Sequence, residues 1–114
     1  MKDIETLRRI VRNNMDAWTR ISKHGPCWPI ARALANAGLG RVEFCLTYCK
    51  TDKQWFGHYV VRRPDRKIFD CSGEYVCQEC PERVPRYKDF HVFNEPMHDA
   101  YTAAQVAFWR RRLL

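Results

Sequence analysis

Residues 41–72 constrain the fold more than any other stretch of the chain. They hold three extended segments, RVEFCLTYC (41–49), WFGHYVVRR (55–63) and RKIFDCS (66–72), separated only by the polar turn TDKQ (51–54) and by Pro64-Asp65. Connections this short join antiparallel neighbours, because a parallel pair needs a crossover of about a dozen residues or more. The first segment alternates, with Val42, Phe44, Leu46 and Tyr48 on one face. The second is rich in aromatic and β-branched residues, the types that fit a pleated, half-buried surface.

Helical patterns flank this sheet. Residues 3–23 carry Ile4, Leu7, Val11, Trp18 and Ile21 at helical spacing, with Ile10 and Met15 beside them, which predicts a core-facing amphipathic helix. His24-Gly25-Pro26 breaks it. A second helix is expected over 27–37, with Pro29 in its first turn, where a missing N–H costs nothing, and with Gly38 and Gly40 at its end. Residues 73–87, which include Gly73, Pro81 and Pro85, read as an irregular loop; KDFHVFN (88–94) reads as a fourth strand and 99–112 as a C-terminal helix. The order helix–helix–sheet–helix predicts one α+β domain over 1–114, a small antiparallel sheet packed against helices.

Composition narrows the setting. No apolar run approaches the ~18 residues that cross a bilayer. The opening MKDIETLRRIVRNN lacks the apolar stretch of a secretory signal. The expected compartment is therefore the cytoplasm, or delivery from it by a non-classical route. A formal net charge of +7 favours acidic partners. Most aromatic residues fall at buried-looking strand and helix positions, which disfavours a base-stacking surface and hence nucleic acid.

Six cysteines are too few for a disulfide scaffold, which carries roughly 8–10%, and in a reducing compartment cysteines serve as ligands, nucleophiles or core residues. Cys77-x2-Cys80 has zinc-ligand spacing; with Cys71 and His91 it would make a structural Cys3His site. Zinc as a structural ion is thus one expectation, and a non-catalytic zinc-stapled module that binds an acidic protein or nucleic acid is the alternative reading of the chain.

A different constellation points to covalent chemistry. Cys27 stands at the start of the second helix, where unpaired N–H groups and the helix dipole stabilise a thiolate. The N–H of Cys27 or Trp28 lies where an oxyanion could form. His58 sits inside the apolar strand WFGHYVV, and Asp70 lies in the next strand between Phe69 and Cys71, where a carboxylate needs a partner. If the connecting loop has an odd number of residues, His58 and Asp70 face the same side, opposite or diagonal. Cysteine, histidine and carboxylate then form a nucleophile, its base and the group that orients the base.

Gly25-Pro26-Cys27-Trp28 before a helix resembles the Gly-x-Cys-Trp nucleophile segment of papain-like cysteine proteases. His58-Tyr-Val-Val, a turn and Ile68-Phe69-Asp70 resemble the histidine and aspartate strands of the transglutaminase-like branch of that superfamily. The resemblance covers about residues 25–72 and implies a papain/transglutaminase-like minimal core with catalytic Cys27, His58 and Asp70. It implies a hydrolase or acyl-transferase of the protease, deamidase or transglutaminase kind, acting on a protein or peptide through a thioester, with no cofactor required. The chain departs from papain in having His58 so soon after Cys27 and in having no glutamine before Gln54. Trp18 or His24 is left as a candidate second oxyanion donor.

Overall fold

A computed structural model describes residues 2–49, 52–70 and 87–114. Three helices, α1 (Ile4–Thr19), α2 (Cys27–Asn36) and α3 (Ala103–Leu113), accompany four strands, β1 (Arg41–Cys49), β2 (Gln54–Arg62), β3 (Ile68–Phe69) and β4 (Tyr87–Val92). The strands form one antiparallel sheet in the order β3-β2-β1-β4, so the fold is α+β.

Local chemistry sets where each helix stops and starts. Asp3 caps α1 by accepting the Thr6 N–H at 2.8 Å. The helix ends at Thr19, short of the expected residue 23. The Trp18 carbonyl accepts from both Ile21 and Ser22, and the Trp18 indole N–H donates to the His24 carbonyl at 2.9 Å. The chain therefore closes around Trp18 instead of continuing the helix, and Ile21 is left exposed. α3 begins at Ala103, later than the expected residue 99, because Thr102 and Gln105 form a capping box. The residues before it make a separate turn, with the Tyr101 N–H on the His98 carbonyl.

β1 and β2 pair along their whole length, from Arg41 opposite Arg62 to Cys49 opposite Gln54. The β2–β3 connection is a wider turn than Pro64-Asp65 alone. It spans 63–67, closed by the Arg63 N–H on the Lys67 carbonyl and held by Asp65 Oδ1 on the Lys67 N–H. Arg66 takes a left-handed conformation, φ 68°. β3 consequently starts at Ile68 rather than residue 66; residues 71 and 72 of the expected strand lie outside the described residues. β4 pairs with β1 through a register shift between Phe44 and Leu46.

The core gathers Leu7, Val11 and Trp18 of α1, Trp28, Ile30 and Leu34 of α2, Phe108, Trp109 and Leu113 of α3, and Val42, Val61 and Phe69 of the sheet. Along β1 the deeper set is Glu43, Cys45 and Thr47, whereas Phe44, Leu46 and Tyr48 are only half-buried. Alternation in sequence identified the apolar face but not this one, because its burial depends on partners: Glu43 binds Arg41 at 2.8 Å and Arg62 at 3.1 Å.

Gly40 joins α2 to β1 at φ 157°, and a Cβ there would stand 2.4 Å from the Arg62 carbonyl oxygen and 2.5 Å from Val61 Cγ1. A backbone atom cannot give way cheaply. Gly40→Ala is expected to cost about 2 kcal/mol or more in a urea titration. Gly25→Ala, which meets nothing within 4 Å, should stay within about 0.5 kcal/mol. Equal losses for the two would refute this account of Gly40.

Candidate active site

The position of Cys27, the expected nucleophile, is built by the bend before α2. Pro26 is the N-cap and supplies no side-chain cap; its carbonyl accepts the Ile30 N–H at 3.0 Å. Pro29 has no N–H to offer. The N–H groups of Cys27 and Trp28 therefore stand at the open end of the helix, beside the half-buried Cys27 sulphur. The bend is held from α3's side: the Tyr101 hydroxyl donates to the Gly25 carbonyl at 2.7 Å, and the Tyr101 ring stacks on Trp28 with centroids 5.3 Å apart.

β2 carries His58 in its middle, directly opposite Cys45 of β1. The β2–β3 turn has an odd number of residues, so the register that pairs Val61 with Phe69 carries on to set Asp70 beside Val60, diagonal to His58 and on its side. His58 Nε2 lies 2.7 Å from Asp70 Oδ1, with the two side chains 3% and 4% exposed. The Cys27 side chain also lies close enough to His58 to raise the imidazole's pKa. With Nε2 on Asp70, Nδ1 is the ring nitrogen left for the sulphur. Tyr87, the first residue of β4, donates its hydroxyl to Asp70 Oδ2. The chain of contacts runs from sulphur to imidazole to carboxylate to phenol.

Electrostatics follow from this burial. Desolvation works against the charged imidazole of His58, but the Asp70 hydrogen bond, the nearby Cys27 side chain and the Asp70 charge outweigh it, raising its pKa to about 10. Burial, reinforced by the Asp70, Glu43 and Cys27 charges, pushes the Cys45 thiol up to about 12, so this second thiol stays protonated. Tyr87 is likewise raised, by burial and then by Asp70, and keeps the proton it gives to the carboxylate.

The other expected site residues fall as follows. Trp28 presents its backbone N–H at the helix start, and its indole Nε1 is buried without a hydrogen-bond partner. Trp18 spends its indole N–H on His24, whose side chain is exposed and sets its ring edge against Tyr101. Cys71, Cys77 and Cys80 lie outside the described residues. His91 is exposed on β4, opposite Phe44. Among the described residues no group of three His, Cys, Asp or Glu side chains is arranged to hold a metal. None of the described helices is long and apolar enough to cross a membrane.

Sequence reasoning did not single out Tyr87, Tyr101 or His98, and weighed Cys45 only with Cys49, as a poor metal-binding pair on one strand face. His98 packs among Trp28, Tyr59, Phe93 and Tyr101, its Nδ1 accepting the Ala100 N–H. Only Cys45 carried a signal, since the β1–β2 hairpin register sets it opposite His58.

A histidine whose pKa is raised on folding adds stability that is complete below its ordinary value near 6.5 and is lost as pH climbs through the raised value. The urea midpoint is therefore expected to fall between about pH 6.5 and 10, by more in the wild type than in Asp70→Asn. Parallel curves for the two proteins would refute the His58–Asp70 coupling.

Comparison of the chain with protein-family models, with curated proteins and with solved structures finds no match.

Proposed function

We propose that this protein is a cysteine hydrolase or acyl-transferase that opens an amide or acyl bond of a protein or peptide through a thioester. One observation carries the reading: His58 is bonded to a buried Asp70, with Cys27 at an open helix start close enough to raise the imidazole's pKa. That set gives a nucleophile, a base of raised pKa and a group fixing the base's tautomer. The same residues carry the resemblance to the papain-like superfamily and its transglutaminase-like branch.

In this mechanism the raised pKa of His58 lets Nδ1 take the Cys27 proton ahead of the attack, and the sulphur then adds to the carbonyl carbon as a thiolate. The C=O π electrons pass to oxygen, and the N–H groups of Cys27 and Trp28 are placed to receive that oxyanion. Collapse of the tetrahedral adduct breaks the bond to the leaving amine, which takes the proton from His58. Water or an acceptor amine then gives its proton to His58 and attacks the thioester, and the sulphur leaves with that proton returned. Asp70 holds Nε2–H throughout and balances the imidazolium, while Tyr87 keeps the carboxylate in place. The net positive charge fits an acidic substrate.

The test is covalent trapping. A panel of peptidyl acyloxymethyl ketones, read by intact-protein mass spectrometry at neutral pH, is expected to leave one adduct, mapped to Cys27. Adducts spread without preference over several cysteines, or none with any probe, would overturn the proposal.

A further inference from the structure

Apart from the sulphur–imidazole–carboxylate set, the described residues hold a hollow of about 790 Å³ at the far end of the β1–β2 pair. Its lining includes Arg41, Arg62, Arg63 and Arg66 and a single carboxylate, Glu43. Glu43 is shared. Its Oε2 takes Arg41 Nε at 2.8 Å and its Oε1 takes Arg62 Nη2 at 3.1 Å, so one negative charge holds two guanidinium groups in place. Burial works against the ionised Glu43, but hydrogen bonds from Arg62 and Arg41 outweigh it, so its pKa is lowered and the carboxylate stays charged. Arg62 is fixed further, by its Nη1 on the Arg66 carbonyl at 2.8 Å and by the Phe90 ring 4.9 Å beneath it. Arg63 meets Asp65 only at 3.6 Å, with both side chains partly in solvent. Arg62 is thus fixed in the wall of a hollow that carries a surplus of positive charge.

We propose that this hollow is a docking site for carboxylate side chains of an acidic peptide segment, so that it selects the substrate of the cysteine centre. The inference rests on the reading of Cys27 as nucleophile for its purpose, though not for binding itself. Guanidinium groups pair with carboxylates in a two-pronged geometry, and pre-ordered arginines lose little freedom on doing so. Nucleic acid is the poorer occupant, because the one aromatic ring in the lining, Phe90, already has a guanidinium over it and offers no free face to a base. Position fits a substrate that spans both places. Arg62 follows His58 by four residues on one strand, about 13 Å at ~3.3 Å per residue.

Binding is measured without chemistry, by fluorescence anisotropy of a labelled hexaglutamate peptide on Cys27→Ala protein at fixed low salt. Arg63→Ala/Arg66→Ala, which leaves the Glu43 pairs intact, is expected to weaken binding about tenfold. Arg110→Ala/Arg111→Ala removes the same charge from the exposed end of α3 and is expected to leave affinity within about twofold. Equal weakening by the two pairs would reduce the effect to net charge and overturn the site. So would an unchanged affinity in Arg63→Ala/Arg66→Ala, or a single-stranded oligonucleotide of the same charge binding more tightly and losing the same factor. Failure of covalent trapping at Cys27 with this binding pattern intact would remove the proposed chemistry and leave the docking site standing.

Discussion

Cys27→Ala is expected to abolish covalent trapping and to lower turnover by at least about four orders of magnitude, with the fold retained. In the proposed mechanism the loss is large because the sulphur forms the intermediate itself, and neither a helix start nor a histidine can replace it. The fold survives because Cys27 is half-buried and small, and alanine suits a helix. Cys45→Ala is the informative control. That thiol is fully buried opposite His58 and is held protonated, so its removal should cost about 1 kcal/mol of stability and leave trapping in place. The two variants thus exchange effects: one loses chemistry and keeps stability, the other loses stability and keeps chemistry. Trapping that persists in Cys27→Ala and vanishes in Cys45→Ala would move the nucleophile from the start of α2 to β1 and sink the proposed mechanism.

The central pair was legible in the sequence because strand parity is a strict rule. A histidine and an aspartate on consecutive strands share a face whenever the loop between them is odd, and the turn from Arg63 to Lys67 meets that condition even though it is wider than Pro64-Asp65 suggested. The helix start at Cys27 was legible for a similar reason, since a Gly-Pro bend and a first-turn proline leave few places for it to begin. Helix ends were less so. Nothing in the spacing of residues 3–23 shows that Trp18 will draw the His24 carbonyl to its indole and stop the helix at Thr19. Tyr87 was out of reach altogether. Its meeting with Asp70 depends on the register of β4 against β1, which shifts at Phe44/Leu46, and on a connection too long for parity to be carried across. Glu43 illustrates the remaining gap: a carboxylate on a strand reads as solvent-facing until the two arginines that neutralise it are brought beside it by the hairpin.

Asp70→Asn should separate a working triad from a buried core histidine. In the wild type, burial opposes the imidazolium and is overcome largely by Asp70. Removing that charge leaves the desolvation in place. The Cys27→Ala background also takes away the pull of the Cys27 side chain. There, an NMR titration is expected to find a raised His58 pKa while Asp70 is present, and a clearly lower one in Cys27→Ala/Asp70→Asn. Turnover, measured with Cys27 present, is expected to fall by about 10²–10⁴ with little change in fold. The geometry says why the loss exceeds that of a charge alone. The Tyr87 hydroxyl donates to one oxygen of the Asp70 carboxylate, and in Asp70→Asn it favours the amide oxygen there, turning the amide NH2 toward His58 Nε2. That nitrogen must then accept, the ring proton moves to Nδ1, and the base has no lone pair left for the Cys27 proton. Tyr87→Phe alone keeps the charge and the tautomer and should cost about tenfold, the value of one hydrogen bond to a charged group. Added to Asp70→Asn, it removes the hydroxyl that favours that amide orientation, so the double variant is expected to lose less than the product of the two single losses. Strict additivity of the two losses, with a His58 pKa indifferent to Asp70, would show that the carboxylate does not orient the histidine.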